Sequence, residues 1–212
     1  YLPDALLNML AKLGWSNTTE DIFTMEKLIE IFEIDDIQKA GAVFDIERLN
    51  FVNQGHIANI EKPELLEMIE VFNKRNNFTL NDHHDAYYLI ELCKGSGNTL
   101  DEISKFIKPF VVNFDEYNQE DFDKHLINAK PVIDYFIEKL ESLDNWNEES
   151  IEAIISGAKE DLELPMPKIG LPLRVALLGR AKSPQLNSTI YLIDKEVVIE
   201  RLKNSLSVIS EC

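Results

Sequence analysis

Glycine is scarce in this sequence, at 8 of 212 residues, which disfavours a turn-rich all-β fold. Cysteine is scarcer still. Cys93 and Cys212 stand far apart and match no zinc or redox spacing, so a reducing, cytoplasmic setting is expected. No apolar run approaches the roughly 18–20 residues of a membrane span, and no signal-peptide pattern is visible. An initiator methionine is also missing: the chain opens Tyr1-Leu2-Pro3, the expected start of a piece cut from something longer. Positive charge is short as well, with 21 Lys and Arg against 38 Asp and Glu and a net charge of −17. Phosphates would be repelled by most of such a surface, which disfavours DNA and any nucleic-acid binding spread over the whole molecule.

The most informative absence is local. From Leu164 to Ile193 there is no Asp or Glu, while Lys168, Arg174, Arg180 and Lys182 all fall there. The stretch contributes +4 to the total of −17, so the other 182 residues carry −21. The charge is partitioned, and a local basic site survives the global argument.

What is present is helical. Apolar residues make up 45% of the chain, enough for a core, and their spacing is three-and-four almost throughout. Pro3 in a first turn and Gly14 as a stop bracket a helix over 4–14. Thr24 caps another over 24–32, and Pro63 opens one over 63–72. Further helices are expected near 82–94, 99–113, 119–142, 147–162, 170–177 and 194–208. Polar Asn73–Asn81 reads as a linker or loop, and 143–149 and 163–170 as breaks. No strand alternation or repeat appears. The expected class is all-α.

Few residues invite a chemical reading. His83 and His84 between Asp82 and Asp85 are adjacent, so on a helix they point about 100° apart and do not converge on one ion; an exposed helix start is expected there. The acidic run DEYNQEDFD (115–123) lacks the central Gly and distal Glu of a calcium loop. No phosphate-cradling glycine loop and no nucleophile–base set is suggested, so no catalytic residue, metal or cofactor is expected in this chain. The segment from Phe44 to Ile57 mixes apparent core positions (Phe44, Leu49, Val52) with Arg48 and Asn53, read equally as helix caps or as binding residues.

The stretch LPLRVALLGRAKSP (171–184) also has two readings. Leu171, Leu173, Ala176 and Leu177 share one helical face, Gly179 ends the helix, and Ser183-Pro184 starts another turn. A solvated loop with Arg174 bridging acidic neighbours accounts for it. So does single-stranded nucleic-acid recognition, in which cations neutralise phosphate and rigid apolar edges meet splayed bases.

Three ordered motifs weigh on that choice. The C-terminal one is Lys168-x-Gly170-x-Pro172-Leu173-Arg174-x-Ala176-Leu177-x-Gly179 with Ser183-Pro184, Leu192-Ile193-Asp194-Lys195-Glu196 and Glu200-Arg201-Leu202. The opening one is Tyr1-Leu2-Pro3-Asp4-Ala5-Leu6-Leu7-Asn8 with Leu13-Gly14-Trp15-Ser16. Ala42-Val43-Phe44-Asp45, Leu49 and Asn53 lie between. Together they resemble the C-terminal half of bacterial glutamyl-tRNA synthetases, which are class I aminoacyl-tRNA synthetases. The resemblance implies a multihelical region: a stem-contact part over 1–61, then anticodon-binding subdomains over 62–118 and 119–212. It implies tRNA(Glu) as partner, with tRNA(Gln) a second candidate, and a monomer. The longer parent would ligate glutamate to tRNA with ATP and Mg, through a catalytic domain whose HIGH and KMSKS-type motifs are not in these residues. This part would be inactive alone.

Carried over residue by residue, the resemblance puts Arg48 and Phe51 at the tRNA stem, with Phe51 departing from the usual Trp. It puts Arg174, Ser183, Pro184 and Leu186 at the anticodon, Ser183 being commonly Thr. Ser96 stands where the family often carries an Arg that reads the third anticodon base and helps separate glutamate from glutamine tRNA. A serine cannot make that bidentate contact. Either both tRNAs are accepted, or Lys94 reaches the base from nearby. The rival to all of this is a helical protein-interaction module derived from such a domain, acidic because its partner is basic.

Overall fold

The computed structural model describes residues 1–15, 19–37, 41, 43–114 and 116–211. Ser16 and Ala42, two positions of the quoted motifs, lie outside the described residues, as do Asp115 of the acidic run and Cys212. In chain order the helices are α1 (Pro3–Gly14), α2 (Met25–Ile31), α3 (Ile46–Ala58), α4 (Lys62–Arg75), α5 (Ala86–Cys93) and α6 (Leu100–Val111). There follow α7 (Gln119–Asp121), α8 (Lys130–Glu141), α9 (Glu148–Asp161), α10 (Met166–Leu178), α11 (Leu186–Tyr191) and α12 (Lys195–Glu211). A 3₁₀ turn covers Ile34–Asp36, and α7 runs on as a π turn over Phe122–Leu126. Among the described residues there is no sheet, only an isolated bridge between Trp15 and Ile37. The all-α expectation is met. Among the described residues, no helix is long and apolar enough to cross a membrane.

The helices missed or misjudged in the sequence have local causes. The segment 44–57 is the capped helix α3: Asp45, not Arg48 or Asn53, supplies the cap, its carboxylate accepting from the Glu47 and Arg48 amides at 2.9 and 3.4 Å. Phe44, read as core, is half exposed, whereas Leu49 and Val52 are buried. The single helix expected over 119–142 is two, because Pro131 has no N–H to continue a ladder and opens α8 in its first turn. Pro167 likewise opens α10 four residues earlier than expected. The His83-His84 pair precedes its helix, which begins at Ala86, and His83 is half-buried rather than exposed.

The described chain divides into two compact units, one of Tyr1–Asp82 with Ala86–Ile107, the other of His83–Asp85 with the residues from Lys108 onward. In the first, α1 packs on α2 and α3, and α4 on α5. Ala5, Met9, Trp15, Phe23, Leu49, Val52 and Ile57 form one part of its core, with Trp15 edge-on to Phe23. Two amides tie the segments. Asn8 accepts from the Phe23 amide at 3.0 Å and donates to the Asp21 carbonyl. Asn53, fully buried, accepts from the Leu2 amide at 2.8 Å and donates to the Asn98 carbonyl at 2.5 Å. Asn73–Asn81 is no free linker: α4 extends to Arg75, and the buried Glu70 carboxylate accepts from Asn73, Thr79 and the Leu80 amide.

In the second unit α10 is central, packed against α8, α9, α11, α12 and the π turn. From Ile169 to Leu178 only Leu171 and Arg174 escape full burial. A helix apolar nearly all round belongs in a core, and this accounts for much of the missing acid. Gly179 then ends α10 at φ 72°, where a Cβ would meet Phe114 and the Glu116 carbonyl.

Candidate nucleic-acid interface

Arg174 projects from α10 toward the loop that joins it to α11. Its Nε donates to Ser183 Oγ at 2.8 Å and its Nη2 to the Pro184 carbonyl at 3.4 Å. Burial pushes the guanidinium's pKa down from its ordinary value, yet an arginine stays charged at any pH a cell meets. No carboxylate pairs with it among the described residues, so the expectation that Arg174 bridges acidic neighbours is not met. Ser183 and Pro184 are half-buried and adjoin this head group, and Leu186 is buried beside Gly170 on its other side. The structure thus brings Arg174, Ser183, Pro184 and Leu186 into one cluster.

The loop under the cluster is braced rather than loose. The Asn118 amide donates to the Gly179 carbonyl at 2.7 Å, and the Ala181 amide to Asp121 Oδ2 at 2.8 Å. Asp121 brings a carboxylate to a stretch that has none of its own in sequence. Only the fold shows that neighbour.

Lys94 and Ser96 sit in the turn after α5. The Lys94 ammonium meets Glu91 at 2.8 Å and the Ala58 carbonyl at 3.3 Å, and Ser96, half-buried, donates its amide to the Cys93 carbonyl. The Gln54 amide donates to the carbonyls of Gly95 and Gly97, both at 3.4 Å, and Asn53 holds Asn98. Asn53 and Gln54 of α3 therefore hold the backbone around Ser96, a role sequence spacing did not reveal.

Arg48 and Phe51 share the solvent side of α3, three residues apart. Arg48 pairs with Asp21 at 2.5 Å with both side chains nearly half exposed, and Phe51 is 55% exposed. An exposed cation beside an exposed aromatic ring suits contact with a phosphate–sugar backbone.

Among the described residues no group of three or more His, Cys, Asp or Glu is placed to hold a metal ion. Sequence reading missed Gly170 and Thr189 around Arg174. Gly170 stood inside the quoted motif without a role, and Thr189 carried no local signal, because it reaches Ser183 only once α11 folds back on the loop.

Comparison with known proteins fits this picture. The profile of the Anticodon binding domain family matches residues 56–206. A glutamate tRNA ligase from Elizabethkingia meningosepticum, solved in complex with its amino acid, is similar over 99% of this chain and 42% of its own, with 27% identity and a TM-score of 0.88. A glutamate-tRNA synthetase from Elizabethkingia anophelis is similar over 98% of this chain and 41% of its own, with 27% identity and a TM-score of 0.82. The chain thus spans about two fifths of the length of these ligases. With the family profile covering most of its residues, this chain belongs to the anticodon-binding domain family.

Proposed function

We propose that this chain is the tRNA-recognising part of a glutamate–tRNA ligase and binds the anticodon arm of tRNA(Glu), with tRNA(Gln) as a second candidate. The observation that carries the reading is Arg174: a half-buried guanidinium with no carboxylate partner among the described residues, held by Ser183 and Pro184 inside the acid-free stretch. Ser183, Pro184 and Leu186 complete the anticodon surface, Lys94 and Ser96 flank the third anticodon base, and Arg48 and Phe51 contact the stem. In the division we favour, 1–61 serves the stem, and 62–118 and 119–212 the anticodon. The acidic remainder of the surface suppresses unspecific RNA binding.

Catalysis belongs to the parent. ATP and Mg would act in a catalytic domain of the longer protein, and this part holds the anticodon arm so that the acceptor end reaches that site. We propose a cytoplasmic monomer. The decisive experiment is binding of the 212-residue chain to a tRNA(Glu) transcript at low salt. Binding should weaken on Arg174→Ala; a chain that ignores both tRNAs, with Arg174→Ala neutral, sinks the reading in favour of a protein-interaction module. A parent carrying Ser96→Arg, assayed on both tRNAs, tests the third base: unchanged selectivity removes position 96 from discrimination.

A further inference from the structure

An arginine offers five N–H donors in a rigid plane. Nε and one Nη2 hydrogen share the side edge of that plane, and in Arg174 this edge is spent on Ser183 Oγ and the Pro184 carbonyl. The end edge, formed by Nη1 and the other Nη2 hydrogen, has no recorded partner among the described residues. It presents two parallel donors, which suits a pair of neighbouring acceptors on a base.

What holds the plane in this attitude lies behind it. Ser183 Oγ has one hydrogen and two lone pairs, and all three are engaged. It donates to the Pro184 carbonyl at 3.0 Å, and accepts from Arg174 Nε at 2.8 Å and from Thr189 Oγ1 at 3.2 Å. The serine hydroxyl has no capacity left for a base. Thr189 is fully buried and meets no ligand directly. On the opposite side Gly170 clears the way for the head group: a Cβ there would lie 2.8 Å from Arg174 Nη1 but only in ordinary contact, 3.6 Å, with Leu186.

We infer that Thr189, acting through Ser183, and Gly170, acting by its missing side chain, are positioning residues that fix the free edge of Arg174 and so set its selectivity for an anticodon base. The inference rests on the proposed function. It moves Ser183 from base contact to support.

Gly170→Ala separates positioning from stability. The clashing atom is the tip of a flexible side chain, so the arginine swings aside and gives up its bonds to Ser183 and Pro184, a loss that alanine's preference for the helix over glycine offsets in part. Folding should be kept and selectivity lost. The measurement is the ratio of affinities of the 212-residue chain for a tRNA(Glu) transcript and for transcripts substituted at single anticodon bases. Gly170→Ala and Thr189→Val should each lower that ratio by roughly tenfold at the base Arg174 reads, since a bidentate contact discriminates by about that factor. Thr189→Ser should restore it, and Thr189→Val should cost nothing further in an Arg174→Ala background. An unchanged ratio in a folded Gly170→Ala chain overturns the inference, as does an equal loss for every transcript with a smaller salt slope, the mark of a phosphate contact. If no transcript binds at low salt, the functional reading falls and takes the inference with it.

Discussion

The two units organise their interiors around different polar side chains. In the first, a neutral amide does it: Asn53 is fully buried and makes two hydrogen bonds to backbone groups of Leu2 and Asn98. In the second, a charge does it. Arg201 on α12 is 5% exposed and forms no ion pair among the described residues, yet it donates to the Asn113 side chain and the carbonyls of Pro109, Val112 and Leu177. Those carbonyls lie at the C-terminal ends of α6 and α10, where helices leave acceptors unmatched and carry partial negative charge. Phe114 lies under the guanidinium, its centre 5.6 Å away. Burial pushes the pKa of Arg201 down to about 10, leaving it charged at neutral pH. A cation can thus be buried without a paired carboxylate when two helix ends supply acceptors, with the charge of the neighbouring Glu200 assisting.

The contrast extends to surfaces. Residues 1–51 leave Leu7, Leu10, Ile29, Ile34, Val43 and Phe51 exposed, and α2 buries none of its residues. In the second unit α10 buries eight of its thirteen residues.

The largest expected effect is therefore Arg201→Ala. It strips four acceptors of their donor, and we expect a loss of about 3 kcal/mol of stability by chemical denaturation. Arg201→Lys should recover part of it, since a point cation cannot span four acceptors. If Arg201→Ala costs no more than a surface change, the helix-end account of this residue is wrong. Asn53→Ala should cost less, about 2 kcal/mol, because it orphans one N–H and one carbonyl. Asn53→Asp, which keeps only the acceptor, should fall no closer to wild type than Asn53→Ala if the bond to Asn98 matters.

A smaller effect is set by pH. His83 Nε2 donates to the Leu192 carbonyl and its Nδ1 accepts from the Asp85 amide, so the fold selects the neutral ring. Its pKa is lowered from 6.5, mainly by burial, with the Leu192 carbonyl, Asp85 and Asp194 opposing and His84 assisting. The unfolded chain then binds the proton more readily, and stability must fall as pH drops through and below about 6.5. Melting temperatures between pH 7.5 and 5 should show a shallower fall in His83→Gln than in wild type; parallel curves would exclude His83. The smallest effect on stability belongs to Arg48→Ala. Its pair with Asp21 is exposed, so less than about 1 kcal/mol is expected, while affinity for tRNA should drop for every anticodon alike. A stability loss matching that of Asn53→Ala would make Arg48 a structural residue.

Part of the fold was legible because its signals are local. Proline in a first turn marked α1 and α4, Thr24 capped α2, and Gly179 closed α10 as read. Pro131 carries the same signal inside a stretch that reads as one helix, and Pro167 reads as the mark of a break rather than a start, which accounts for one fused helix and one late start. The segment containing α3 is hard to read for another reason: its exposed Phe44 and Ile46 blur the apolar stripe, and its cap, Asp45, stands inside a motif. The candidate site was half legible. Arg174 and its loop stood out by charge, and the ordered motifs pointed to the family. Thr189 and Asp121 did not, because their partners lie six and sixty residues away along the chain.

By itself, then, the sequence determined the helical class, the partition of charge and the motif order, since each depends on residue type and short spacing alone. Only the tertiary structure decided which polar groups are spent and which are free. Hydrogen-bond capacity is finite, and what meets Arg174, Asn53 or Arg201 is settled by helices that the chain brings back from far away. The acid-free stretch is the clearest case: burial of α10 explains part of its missing carboxylates, and packing holds the donor edge of Arg174 in place.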